Sequence, residues 1–385
     1  MNKSDSEKIS EFFENKKYKP ASSIKEADLV IINMCSVRQS AVDRVYGVFQ
    51  KLKKIRKKKP KTILTGCILK KDRKNFKKLF DEIIDIKDLI NLTKKSKKNR
   101  SDNISALVPI IRGCNNFCSY CVVPHTRGRE FSRPAKEIIC EIKNLAKKGI
   151  KEIWLLGQNA TSYKDKKIKF PELLKKINKI PGNFWIRFTS CHPKDFSENL
   201  IKAMKEGGKI TEYLNLPLQS GDNQVLKKMK RPYNAAKYKN LVKKIRKAIP
   251  GIALSTDIIV GFPGETKKQF KNTAKILKEI KYDMAYISKY SPRSGTLAAE
   301  LKNNVSSKEK NKREKILTKI LKKTALENNK KYLNKKVEVL MMNKSFGRTR
   351  TNKRVKIESK RNLSGRFIEA KIIAASHWGL KGKLK

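Results

Sequence analysis

The sequence predicts an α/β multidomain fold: an N-terminal α/β domain, a partial (β/α)6 barrel of TIM type, and a small antiparallel β-barrel resembling an OB fold. Three observations carry this. Near the start, the apolar runs in ADLVIINMCS and KTILTGC are flanked by helical stretches, the pattern of buried parallel strands. Six more strand-like runs then alternate with helices, as parallel barrels require. From Tyr332 the text turns short and alternating, the period of antiparallel strands. The expected boundaries are residues 1–98, 104–330 and 331–385.

In the first domain, Cys35 and Cys67 each close an apolar run. They are expected at the carboxyl ends of neighbouring strands, where α/β sheets collect ligands. The stretch Thr93–Asn103, TKKSKKNRSDN, reads as a linker.

The middle strands are LVPIIRG, IWLLGQN, FWIRFTS, YLNLPLQ, IALSTDIIVGF and AYISKY. Helices lie between them, such as AKEIICEIKNLAKKG, whose Ile138, Ile139, Ile142 and Leu145 share a face. Cys140 is assigned to that apolar face, hence to the core. The strands end in polar or special residues: Cys114, Gln158, Asn159, Thr189, Ser190, Gln219, Ser220 and Asp257. Barrel chemistry is built at that end. The segment GFPGE, Gly261 to Glu265, reads as a tight turn. Cys191 and His192 follow a strand.

A charged helix around Ser306–Lys330 leads into the last domain, with strands in VEVLM, GRTRTN, RVKIE, GRFIEAKIIAA and HWGLKGKL. Its exposed faces are expected to carry Arg348, Arg350, Lys353, Arg354 and Lys371. Small basic barrels of this kind hold single-stranded nucleic acid, with Phe346 or Trp378 available to stack on bases. The same aromatics equally suit a barrel filling.

Composition narrows the class. A chain of 385 residues with 38% hydrophobic residues builds ordinary cores. Its 93 basic against 35 acidic residues leave a net charge of +58, which favours a polyanionic partner. Lysine spread along the whole chain also fits a biased genome. No apolar run approaches the roughly 20 residues of a membrane span, and the start lacks a secretory signal. The expected location is cytoplasmic, with no membrane contact. Seven cysteines in such a chain point to metal or catalysis before disulfides.

Three of them fall together in RGCNNFCSYCVVPHTRGREFSRP: Cys114, Cys118 and Cys121. With His125 they form C-x3-C-x2-C-x3-H, a zinc pattern. Alternatively, three thiolates hold a 4Fe-4S cluster with one iron open to a substrate. Pro124 and the position after a barrel strand weigh against a self-contained zinc finger. Arg127, Arg129 and Arg133 flank the loop, to meet phosphates or to pair with Glu130.

CNNFCSYC resembles the signature of radical S-adenosylmethionine enzymes, including the aromatic Tyr120 before the last cysteine. Further matches run through VVPHTRGREFSRP, LLGQNATSY, RFTSCHPKDF, LPLQSGDNQVLKKMKR, STDIIVGFPGE, YSPRSGT, FGRTRTNKR and HWGLKGKL. Over nearly the whole chain the sequence resembles MiaB-type tRNA methylthiotransferases. The resemblance implies a methylthiotransferase domain, a radical SAM barrel and a C-terminal RNA-binding TRAM barrel. It implies that Cys114, Cys118 and Cys121 hold a 4Fe-4S cluster that chelates S-adenosylmethionine, with Tyr120 at the cofactor. It implies no ligands at Cys191 and His192. It also implies an auxiliary 4Fe-4S cluster, for which Cys35 and Cys67 match two of three ligands. The third is missing. MNKSDSE begins where the family pattern resumes, so Met1 is expected to be an internal methionine of the full protein, with a degenerate protein as the alternative.

Gly157, Gln158, Asn159, Ser190, Gln219 and Asp257 are candidates to line the S-adenosylmethionine pocket, since backbone and amide groups suit an adenosine and an amino-acid moiety. Each also reads as a turn or cap. The implied substrate is isopentenyl-adenosine next to the tRNA anticodon, methylthiolated at carbon 2. The implied partners are the tRNA anticodon loop and a reducing protein such as flavodoxin or ferredoxin. Three alternatives remain: a methylthiotransferase for threonylcarbamoyl-adenosine, one for a ribosomal protein, or a non-catalytic zinc-stabilised RNA-binding module.

Overall fold

The computed structural model describes residues 1–55, 59–92 and 104–384. The predicted linker Thr93–Asn103 lies outside the described residues. The chain forms two compact units.

The first unit holds the described residues up to 92, joined by residues 112–131 and 291–300. Its sheet has three parallel strands, Leu29–Met34, Lys61–Gly66 and Glu82–Ile83. The helix Gln39–Lys53 covers it with Val42, Val45, Phe49 and Leu52, a spacing that lines one helical face. Strand register pairs Met34 with Gly66, so Cys35 and Cys67 leave the sheet side by side. Gly66 has φ +105°, and an added Cβ would sit 2.3 Å from the Met34 carbonyl oxygen. Only glycine fits there.

The second unit contains all six predicted barrel strands. Ser105–Pro109, Glu152–Leu156 and Trp185–Phe188 form one parallel sheet, and Tyr213–Asn215, Ala253–Val260 and Met284–Lys289 another. A parallel bridge from Ile186 to Ile210 connects the halves. Amphipathic helices, including Ala135–Lys147, Phe170–Asn178, Ala235–Ala248 and Lys267–Ile280, enclose one large apolar core.

The small barrel lies in this same unit. Lys336–Met341, Phe346–Thr349, Arg354–Ile357, Phe367–Ser376 and Gly379–Leu384 close on themselves around Val339, Met341, Val355, Ile357, Ala370 and Ile372. Trp378 is not part of that filling; it is 43% exposed.

Buried polar bonds tie the small barrel to the large one. Arg187 is fully buried and holds Glu152 at 2.6 Å. Its remaining donors reach the carbonyls of Thr349 at 2.8 Å and Arg350 at 2.7 Å. Arg350 answers by gripping the Glu212 carboxylate and the Gly208 and Ile210 carbonyls. Lys353 is buried against Asp283 at 2.5 Å. Arg350 and Lys353 are therefore not exposed basic residues, as expected from strand alternation; they are committed inward. Burial alone would raise the Glu152 carboxyl, but Arg187, Trp154 and Ser105 outweigh it and hold it below the usual glutamate range.

Candidate iron–sulfur and RNA sites

The three-cysteine loop starts from Gly113, whose φ of +74° places a hypothetical Cβ 2.0 Å from the Arg129 carbonyl oxygen. The Cys114 amide donates to Gly128 O at 3.3 Å, and the Cys121 amide to Cys118 O at 3.0 Å. The Ala298 amide fastens the loop at Ser119 O, at 2.8 Å. Phe117 takes a left-handed conformation, φ +45°, with the Arg129 guanidinium 4.5 Å above its ring. None of the three thiols is in a disulfide; Cys114 is buried, while Cys118, Cys121 and Tyr120 are half-buried. Asn116 Nδ2 lies 3.4 Å from Cys114 Sγ, and burial pushes that thiol's pKa up.

Three thiols on one short loop are soft donors of the kind a 4Fe-4S cluster takes. Among the described residues, no three Cys, His, Asp or Glu side chains converge on one metal-sized point. His125, the fourth ligand of the zinc pattern, is exposed on the helical turn Val123–Arg127. A 4Fe-4S cluster attaches each thiolate to a different iron, so it needs soft donors spread around a cradle.

Within the same unit, Cys67 Sγ accepts a hydrogen bond from Arg127 Nε at 3.0 Å. Arg127 Nη2 binds buried Asp5 at 2.9 Å and Asn2 Oδ1 at 2.7 Å, and Arg112 reaches the other Asp5 oxygen at 3.0 Å. Arg127 thus pairs with Asp5. Burial pushes the Cys67 thiol up, and the Arg127 guanidinium offsets part of that rise. The buried hydroxyls of Thr65 and Ser36, close in sequence to Cys67 and Cys35, find no hydrogen-bond partner among the described residues.

In the second unit, the candidate pocket residues divide. Gly157 is fixed by packing, since an added Cβ would meet Ile111 at 2.4 Å. Gln158 has a buried Oε1 with no partner among the described residues, so it has an acceptor to offer. Asn159 is already used: it donates to Asp195 at 2.6 Å and accepts from Thr161 at 2.7 Å. Gln219, at φ +68°, bridges to Asp257 and Ile259 through its backbone. Ser190, at φ +62°, and Asp257 meet in one cavity of about 710 Å3.

That cavity also takes in Tyr213, Asn215 and Tyr286 from the large barrel and Phe346, Arg348, Arg354 and Trp378 from the small one. Asn215 Nδ2 donates to Asp257 at 3.2 Å, and Arg354 stacks 3.8 Å over Phe346. Sequence reasoning missed Tyr213, Asn215 and Tyr286. It also missed Arg187, although one arginine inside the apolar run FWIRFTS was a visible signal.

Other residues singled out in the sequence make the following contacts. Cys140 is exposed, a correction to its core assignment: Ile138 and Ile142 face inward, and a residue midway between them on a 3.6-residue helix faces out. Arg133 binds Glu141 at 2.9 Å and Pro109 O at 2.7 Å. Cys191 is buried, with its thiol pushed up by desolvation. His192 Nδ1 accepts from the Lys194 amide at 3.2 Å, and burial lowers its pKa to about 2, so the ring stays neutral. Glu265 closes the GFPGE turn, accepting from the Gly261 amide at 2.7 Å and pairing with Arg313 at 2.6 Å.

The chain is similar to known proteins over its whole length. The model of the Radical SAM superfamily matches residues 108–277, and that of Uncharacterized protein family UPF0004 matches residues 1–86. A tRNA-2-methylthio-N(6)-dimethylallyladenosine synthase of Thermoanaerobacter sp. is 38% identical over 100% of this chain and 90% of its own length. The protein of the same name from Caldicellulosiruptor saccharolyticus is 40% identical over 98% of this chain and 89% of its own. This chain belongs to that family. It is a radical SAM enzyme of the methylthiotransferase kind, and that membership implies a 4Fe-4S cluster and S-adenosylmethionine. A solved structure of the radical S-adenosylmethionine methyltransferase TsrM from Kitasatospora setae shares the fold, with TM-score 0.54 and 14% identity over 76% of this chain and 68% of that one. No helix among the described residues is long and apolar enough to cross a membrane.

Proposed function

We propose that this chain methylthiolates carbon 2 of the isopentenyl-adenosine next to the tRNA anticodon. The observation that carries this is a three-thiol loop, free of disulfides, in a chain matched end to end by relatives named for that product. Cys114, Cys118 and Cys121 are the ligands of the radical SAM cluster. Bound there, a 4Fe-4S cluster supplies the single electron that cleaves S-adenosylmethionine, opening a route to a ring C–H far too weakly acidic for a side-chain base.

The protein's part is to hold, orient and exclude water. Gly113 and the amide bonds of Cys114 and Cys121 fix the loop's shape. Cys35 and Cys67, set side by side by strand register, are the ligands this chain contributes to an auxiliary 4Fe-4S cluster. The hydroxyls of Ser36 and Thr65, unpartnered among the described residues, support a polar occupant beside them. Gln158, Ser190 and Asp257 offer polar groups to S-adenosylmethionine or to the base. The cavity carrying Arg348, Arg354, Phe346 and Trp378 has the charge and aromatic faces to receive the anticodon loop, whose bases splay outward. A small acidic electron-transfer protein such as flavodoxin or ferredoxin is the proposed reductant, and the cytoplasm the proposed compartment.

The test is nucleoside analysis of tRNA from a deletion strain, with and without this chain restored. The 2-methylthio derivative of isopentenyl-adenosine should vanish and return. Loss of only the threonylcarbamoyl derivative would overturn the substrate. Iron content after anaerobic reconstitution should be about four per chain for one cluster and about eight for two.

A further inference from the structure

The strand Met284–Lys289 is an edge of its sheet, and its side chains alternate between two faces. Met284 and Tyr286 face the cavity described above; Ala285 and Ile287 line a separate groove of about 470 Å3 on the other face. The far wall of that groove is the helix Ser307–Lys330, which presents Lys315, Lys319 and Lys322. Trp378 lines both spaces, so it stands at the corner where a chain leaving the cavity would round the edge strand.

The lysines are placed for a polyanion. At i, i+4 and i+7 they share one helical face and span about 10 Å along the axis. All three are exposed, and none has an ion-pair or hydrogen-bond partner among the described residues. The acidic residue of the groove, Glu314, is offset by Lys289 at 3.7 Å. The same helix face thus carries three uncompensated charges beside a large exposed aromatic.

We propose that this groove carries the phosphodiester backbone of the tRNA substrate outward from the cavity, with a base stacked on Trp378. The proposal rests on the tRNA reading above and extends the RNA footprint from the small barrel to the long helix. The chain supplies its own control. Lys271, Lys275 and Lys278 have the same spacing on the exposed side of helix Lys267–Ile280, and they line neither the cavity nor the groove.

The experiment compares two triple variants of the full chain, K315Q/K319Q/K322Q and K271Q/K275Q/K278Q, with equal loss of charge. Affinity for unmodified tRNA is measured across a salt series, and thermal midpoints confirm folding. The groove variant should bind at least about tenfold more weakly at low salt, and its log–log salt slope should fall by about 2, three single-strand contacts at about 0.7 each. The control should move its slope by less than about 0.5. Trp378→Ala should weaken binding by about tenfold with the slope unchanged, as loss of a stacked base predicts. Equal losses in the two triples would overturn the groove and leave general charge as the cause. Unchanged tRNA affinity with slower reduction by flavodoxin would assign the groove to the reductant. Failure of the unaltered protein to bind tRNA would instead remove the RNA reading itself.

Discussion

Both compact units bury arginines in ion pairs, and Arg127 in the first and Arg187 in the second are used differently. Arg127 is buried in the first unit with Asp5, and its third bond goes to a thiol, Cys67. Arg187 is buried in the second with Glu152, and its spare donors go to the backbone carbonyls of Thr349 and Arg350. Both pairs pay the desolvation of two charges. In the second unit every donor ends on a structural acceptor, so the pair sets where the small barrel lies. In the first unit it ends on the sulfur of Cys67, the proposed auxiliary-cluster ligand, so under that proposal the pair positions a ligand. A buried ion pair says little about function until its remaining hydrogen bonds are followed.

The largest effect expected belongs to the thiol side. Cys114→Ala should abolish reductive cleavage of S-adenosylmethionine, read as methionine and 5′-deoxyadenosine, while tRNA affinity stays within twofold. Cleavage at the unaltered rate would remove the cluster from this loop.

The arginines can then be exchanged for neutral residues. Arg187→Met should cost about 3–5 kcal/mol, because Glu152 is left buried and unpaired. Its thermal midpoint should drop sharply, with iron bound per folded chain unchanged. Arg127→Met should cost a similar amount through Asp5, and it alone should also lower the iron retained beyond the first cluster. Equal iron contents in the two variants would erase the distinction drawn here.

A smaller, pH-dependent effect comes from His192. Its folded pKa, about 2, lies below the unfolded value of 6.5. The unfolded chain therefore binds the extra proton between those values, and stability must fall as pH falls. The expected loss is about 1.4 kcal/mol per unit below pH 6.5. Denaturant midpoints at pH 7.5 and 5.5 should show it, and His192→Phe should flatten that part of the profile. A slope that survives the substitution would assign it to other groups. Smallest of all, Cys140→Ser should change stability by less than about 0.5 kcal/mol, as an exposed position predicts. A larger loss would put the residue back in the core.

What was legible in the sequence was whatever depends on local order. The period-two and helical patterns located the barrel strands and the closed small barrel, because side-chain periodicity follows directly from backbone geometry. The grouping of Cys114, Cys118 and Cys121 on one loop could be read because three thiols on a short segment need no distant partner to come together. Burial along one helix was less secure: Cys140 sits among isoleucines in the text yet faces solvent, since 3.6 residues per turn separates neighbours in sequence.

Contacts between residues far apart in the chain were decided only by tertiary structure. Nothing in TRTNK shows that Arg350 and Lys353 turn inward to Glu212 and Asp283, 138 and 70 residues away. Nothing near Arg127 names Asp5 as its partner. Hydrophobic patterning states which face of an element is buried, while the pairing of buried charges depends on which elements the fold brings together. The sequence by itself determined the parts and the chemistry of their donors; the fold decided which donors remained free for a ligand.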